Sequence, residues 1–223
     1  MPDDTLETTR VTVFYDPLCG WCYGAAPALR RLLTHPEFRL ELVPAGLFAG
    51  PGARPMDAHF AAHAWSADQR ISQLTGQPFS ERYRDQVLAD RLTRLDSGPA
   101  TLTLTAVALA SAAYEFPALE AIQAARYVDG RDVTDPAVLA DIIRGLGLGQ
   151  VAARVAAPDA ALVAAARARV STARREMQVL GATGVPTLVV GGRVIASDVL
   201  YGRLADISTR LTSSPQPFAE TTP

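Results

Sequence analysis

Apolar residues fall on both phases of a two-residue repeat over residues 10–15. Val11, Val13 and Tyr15 point one way, and Phe14 the other beside Thr12. A strand apolar on both faces is covered on both sides, as central strands are. The apolar positions then step by four, three and four through Cys22, Ala26, Leu29 and Leu33. That period predicts a helix from the turn at residues 16–22 to about Thr34. Pro27 falls inside it and is expected to kink it, and His35-Pro36 ends it. Phe38, Leu40 and Leu42 predict a second strand over 38–43. Strand, helix and strand in this order imply a parallel pair joined by a right-handed crossover.

After a loop rich in glycine and proline at 46–55, about a hundred residues show no convincing strand. Residues 57–74, 80–92, 100–114, 118–127 and 137–146 read as helices, with Gly76, Pro78, Gly98-Pro99 and Pro117 between several of them. Asp135-Pro136 is a helix start, a capping residue before a first-turn proline. Gly145, Gly147 and Gly149 read as the end of a helix. Residues 158–180 predict a long alanine-rich helix with Leu162, Ala166, Val170, Ala173, Met177 and Leu180 on one face, capped by Gly181. Strands return at 187–190 and 193–196 around Gly191-Gly192, a hairpin signal. Ser197-Asp198 can cap a last helix carrying Leu200, Leu204, Ile207 and Leu211. The Ser/Thr/Pro-rich tail from Ser213 is expected to be flexible.

The expected organisation is an α/β domain formed by residues 1–48 and 158–212, an all-helical insertion at 49–157, and a tail at 213–223. A chain of 223 residues with 48% hydrophobic and 20% charged residues folds around its own core without staples. The net charge of −2 argues against a nucleic-acid partner. All 21 basic residues are arginine, so no lysine chemistry is available. Residues 97–114 are uncharged for nearly the length of a membrane span. Their threonines, serines, Gly98 and Pro99 read instead as a buried core helix, and no membrane partner is expected. The acidic, polar first residues do not read as a secretion signal, which points to the cytoplasm.

Two cysteines, Cys19 and Cys22, are too few and too close for a disulfide framework. A Cys-x-x-Cys pair can form a redox disulfide, supply half a zinc site, or do neither. Here it follows a central strand and opens a helix. Cys19 at the helix N-terminus meets unpaired N–H groups and the positive end of the helix dipole, which favour thiolate over thiol. Cys22, one turn further in, is expected to be more buried. Far along the chain, Gly184-Val185-Pro186-Thr187 precedes a short strand. Read locally, Pro186 is a trans proline starting an edge strand.

The element order, the cysteine pair at the strand–helix junction and Val-Pro before the final hairpin resemble the thioredoxin fold of the DsbA family. The string Asp-Pro-Leu-Cys-Gly-Trp-Cys-Tyr-Gly at 16–24 is similar to its FrnE-like, disulfide-isomerase branch. That resemblance implies a thiol–disulfide oxidoreductase without a cofactor. Cys19 would attack and Cys22 resolve, Gly20 and Trp21 would tune the potential, and a cis Pro186 would present the Val185 backbone to substrate. The expected partners are protein or peptide thiols and disulfides, with glutathione a further candidate. Two departures stand out. Trp21 occupies the place of a histidine in the periplasmic oxidases. Val13 stands where many thioredoxin folds bury a carboxylate, leaving water or Asp16 to handle the Cys22 proton. Asp16 reads first as the organiser of the turn before Pro17.

Two other readings stay open: a glutathione-dependent isomerase or transferase of the kappa-class type, and a peptide-binding module with incidental cysteines. His59 and His63, four apart on a helix, could share a metal, but a solvent-facing helix face is the reading adopted and no metal site is expected. Phe60, Trp65 and Phe79 read as packing within the helical block rather than a wall of the site. Arg174 and Arg175 read as a solvated face.

Overall fold

The computed structural model describes residues 8–201. The last expected helix beyond Tyr201 and the tail at 213–223 lie outside them. A four-stranded sheet has the order β2-β1-β5-β6, formed by β1 (Thr9–Tyr15), β2 (Phe38–Pro44), β5 (Thr187–Val190) and β6 (Arg193–Ile195). Two-residue strands β3 (Arg54–Pro55) and β4 (Arg94–Leu95) pair separately. β1 is parallel to β2 and antiparallel to β5, so Val13 lies beside both Leu42 and Leu188. The hairpin from β5 to β6 turns through Gly191 and Gly192, with φ of 56° and 76°. Left-handed values at both positions suit the sheet's twist and carry no Cβ penalty.

Alternation along β1 divides the core. Val11, Val13 and Tyr15 join the large cluster with helix α1 (Gly20–Thr34) and the helical block. Phe14 faces the opposite way, with Val189 of β5, onto Ala173 and Met177 of α7 (Ala160–Val179). The sheet is therefore sandwiched between helices, as its two-faced pattern requires.

Between the two halves of the sheet lie α2 (Ala58–Thr75), α3 (Gly98–Ala110), α4 (Glu115–Tyr127), α5 (Pro136–Gly145) and α6 (Gly149–Ala156). Asp57, Asp135 and Asp159 cap α2, α5 and α7 by accepting backbone N–H bonds. Among the described residues no helix is long and apolar enough to cross a membrane.

Three sequence expectations change. Residues 83–88 form a π turn rather than part of a helix reaching Leu92. Five residues close one π turn, so buried Tyr83 and Leu88 come to the same inward face. Pro117 does not separate helices; it sits in the first turn of α4, where a missing N–H costs nothing. The glycines at 145–149 end α5 and also begin α6. Pro27 lies inside α1, as expected. It deprives the Tyr23 carbonyl of its partner four residues on, and the Gln77 amide donates to that carbonyl at 3.0 Å.

Candidate active site

The chain leaves the sheet at the end of β1 and must turn sharply into α1. Asp16 makes that turn. Its Oδ1 accepts the Leu18 N–H at 2.9 Å, and its Oδ2 accepts the Phe48 N–H at 3.1 Å and the Ser97 hydroxyl at 2.7 Å. One fully buried carboxylate thus ties the motif to the loop after β2 and to the residue before α3. Burial pushes its carboxyl up, and these bonds oppose the shift. Tyr127 of α4 fixes the next link, donating to the Leu18 carbonyl at 2.8 Å.

Cys19 is the N-cap residue of α1, with extended backbone and no side-chain cap. It is 7% exposed and Cys22 is 3% exposed, and both are free thiols. Burial, followed by a hydrogen bond to the Cys19 sulfur, pushes the Cys22 thiol well above its ordinary range. Cys22 is thereby held as a thiol donating to its neighbour. The Val185–Pro186 bond is cis. The Cys19 Sγ lies 3.7 Å from the Val185 carbonyl oxygen. The structure therefore brings Cys19, Gly20, Trp21, Cys22, Val185 and Pro186 to one place. Trp21 is half-buried, packing edge-on against Tyr201 at 5.1 Å between ring centres, and Tyr201 donates to the Trp21 carbonyl at 3.2 Å.

A cleft of about 630 Å³ reaches Gly184 and Val185 and is walled by Leu47, Arg174 and Met177. A second cleft of about 600 Å³ shares Pro51, Arg174 and Gln178 with it and continues along α7. Arg174 is exposed, as expected of a solvated face, but it is also tied down. Its guanidinium donates to the carbonyls of Ala45, Gly46 and Ala49 and so shapes the wall of both clefts. Arg175 bonds Ser171 and Thr172 on its own helix.

Several residues around the motif were not singled out by sequence. Behind α1, Tyr23 stacks on Tyr127 at 4.7 Å, and Phe79 and Tyr83 meet Tyr127 edge-on. Phe79 belongs to this packing, whereas Phe60 lies against Phe48 and under the Arg54 guanidinium. Asp68 is 4% exposed, and its Oδ2 accepts the Tyr83 hydroxyl at 3.0 Å. A Cβ on Gly20 would stand 2.3 Å from Asp68 Oδ1, so this carboxyl rests directly on the dipeptide between the cysteines. A signal for Asp68 exists in the sequence: it shares the buried face of α2 with Ala61 and Ile71. His59 and His63 are exposed on α2 and far from that face. Among the described residues, no three His, Cys, Asp or Glu side chains are grouped to hold a metal.

A family model of the DSBA-like thioredoxin domain matches residues 10–204. The fold superposes on the cytosolic disulfide reductase DsbM from Pseudomonas aeruginosa with a TM-score of 0.79 and 33% identity, over 91% of this chain and 98% of that one. A structure of the same reductase with glutathione matches at 34% identity with the same coverage and TM-score. A Nitrosomonas europaea protein proposed to be a disulfide isomerase shares the fold, with a TM-score of 0.76 and 24% identity over 92% of this chain and 96% of that one. No curated protein sequence matches the chain.

Proposed function

We propose, because this chain belongs to the DSBA-like thioredoxin family and is a thiol–disulfide oxidoreductase, that it works as a reductase with glutathione among its substrates. Cys19 is the attacking sulfur and Cys22 the resolving one. The Cys19 thiolate attacks one sulfur of a substrate disulfide. That sulfur becomes part of a mixed disulfide, and the other leaves as a thiolate and takes a proton. Cys22 then gives up its proton and attacks the Cys19 sulfur. The bond to substrate breaks, reduced substrate leaves, and the Cys19–Cys22 disulfide holds the oxidation. Two external thiols restore the dithiol.

The observation that carries this reading is the 3.7 Å approach of the Cys19 sulfur to the Val185 carbonyl at the cis Val185–Pro186 bond. The backbone of half-buried Val185 pairs with an extended substrate beside the Cys19-Gly20-Trp21-Cys22 turn. The cleft ending at Val185 receives the rest of the molecule. The likeness to a cytosolic reductase supports work in the cytoplasm, where reducing thiol pools drive the dithiol direction. The sheet strands from both ends of the chain support a division into residues 1–48 and 158–212 with 49–157 inserted.

The test is trapping with oxidised glutathione. Cys22→Ser should accumulate a glutathione adduct on Cys19, read by mass. Cys19→Ser should form none and should lose all exchange activity. An adduct that forms equally on Cys22 in the Cys19→Ser protein would reverse the assignment.

A further inference from the structure

A buried ionisable cluster beside the cysteine helix takes no part in the thiol–disulfide exchange. Asp68 of α2, Tyr83 of the π turn, and Arg126 and Tyr127 of α4 lie together behind the first turn of α1. Arg126 is 3% exposed, with its guanidinium 5.5 Å from the Tyr83 ring centre and 5.7 Å from that of Tyr127. Its Nε has no hydrogen-bond partner. The carboxyl of Asp68 abuts Gly20, one residue into α1 from Cys19. Two acidic groups, the Asp68 carboxyl and the Cys19 thiol, therefore share one helix N-terminus, and α1 has no acidic residue of its own in its first turn.

We propose that Asp68 is a positioning residue of the redox centre, whose carboxylate competes with the Cys19 thiolate for the positive end of α1 and so sets the pH range in which Cys19 reacts. The inference rests on Cys19 as the attacking sulfur. An ionised carboxylate at the helix terminus opposes a second negative charge there. Burial holds the Asp68 carboxyl up at about 7, against the bond from Tyr83 and the charge of Arg126. The other titratable groups facing the cluster are Tyr127, which feels Cys19, and Asp16 and Cys22 across the motif. Tyr83 and Tyr127 are held neutral by burial, so Asp68 is the member that changes charge near neutrality. When it is protonated, the Cys19 thiolate has the helix terminus to itself. When it is ionised, the thiolate is disfavoured and the sulfur reacts more slowly.

The experiment is the rate of iodoacetamide alkylation of the reduced full-length protein from pH 5 to 9, with the modified residue mapped by mass. Asp68→Asn keeps the shape and an acceptor for Tyr83 but cannot ionise. Its rate relative to wild type should be about one at pH 5.5 and should rise roughly threefold or more toward pH 8. Tyr83→Phe removes the donor that favours the carboxylate, so the wild-type slowing should move to higher pH. A purely structural Asp68 would change stability and leave the profile's shape alone. Superposable profiles for wild type and Asp68→Asn overturn the inference, as does a Tyr83→Phe profile that does not move. Alkylation that maps to Cys22 instead overturns the assignment of Cys19, which is a separate failure.

Discussion

The two sides of the cysteine helix each bury a carboxylate, and they treat it differently. On the side of the strand ends, Asp16 accepts from two backbone N–H groups and the Ser97 hydroxyl, joining three separated segments. On the side of the helical insertion, Asp68 accepts the Tyr83 hydroxyl and leaves an oxygen against Gly20. Multiple donors make a buried carboxylate a structural joint; a single neutral donor leaves it able to take a proton. Burial raises both carboxyls, but three bonds oppose the shift at Asp16, whereas Asp68 reaches about 7. The scaffold half thus builds the turn that presents Cys19, and the inserted half supplies a group that can change charge beneath it.

The largest expected effect is on the pH dependence of stability. The Asp68 carboxyl titrates at about 7 in the fold and near its ordinary value of 3.8 when unfolded. Between these values the folded protein binds more protons, so stability is highest below about pH 4 as far as this group is concerned. It falls as pH rises toward 7, and the full decline is on the order of 4 kcal/mol. Asp68→Asn should lack this component. Urea unfolding at pH 5, 6, 7 and 8 should show wild type losing stability relative to the variant over that window. Parallel curves would erase the difference between the two carboxylates.

Asp16→Ala should come next. It leaves the Leu18 and Phe48 N–H groups and the Ser97 hydroxyl without their acceptor, at a cost of about 3 kcal/mol in urea unfolding. A loss below about 1 kcal/mol would mean that water replaces the carboxylate and that Asp16 is no joint. Gly20→Ala should cost about 2 kcal/mol, since the new methyl drives the Asp68 carboxyl off Tyr83. The cost should shrink in an Asp68→Ala background, where the obstruction is gone, and a double-mutant cycle measures the coupling. An additive pair would place the strain of Gly20→Ala elsewhere.

What was legible in the sequence follows the same division. The two-faced period of β1, the cysteines at its exit, and the double glycine of the last hairpin are local signals with local causes. The cis bond at Pro186 was legible only through the family resemblance, because the neighbouring residues alone favour trans. On the inserted side, periodicity found most helices and lost the details. Two-residue strands such as Arg54–Pro55 are too short to show a period. The π turn at Tyr83–Leu88 breaks the 3.6-residue repeat while still burying both of its ends. Asp68 lay on a legible buried face, but nothing local says that this face meets Gly20 rather than any other small residue; the contact joins two helices through the tertiary fold. Arg174 escaped for a related reason: its partners are backbone carbonyls of residues 45–49, which carry no side-chain signature.

The smallest effect sharpens the comparison from a third direction. Tyr201 follows β6 and packs against Trp21 of the motif. Burial raises its phenol, and the two cysteines add to the shift, so it stays a neutral donor to the Trp21 carbonyl. Tyr201→Phe should cost about 1 kcal/mol, because it removes one hydrogen bond and keeps the edge-on ring contact. It should leave the shape of the alkylation profile unchanged, because no charge beneath α1 is altered. If Tyr201→Phe reshapes that profile as strongly as Asp68→Asn does, then any loosening of the motif changes Cys19 reactivity. The special place of the inserted carboxylate would then be lost.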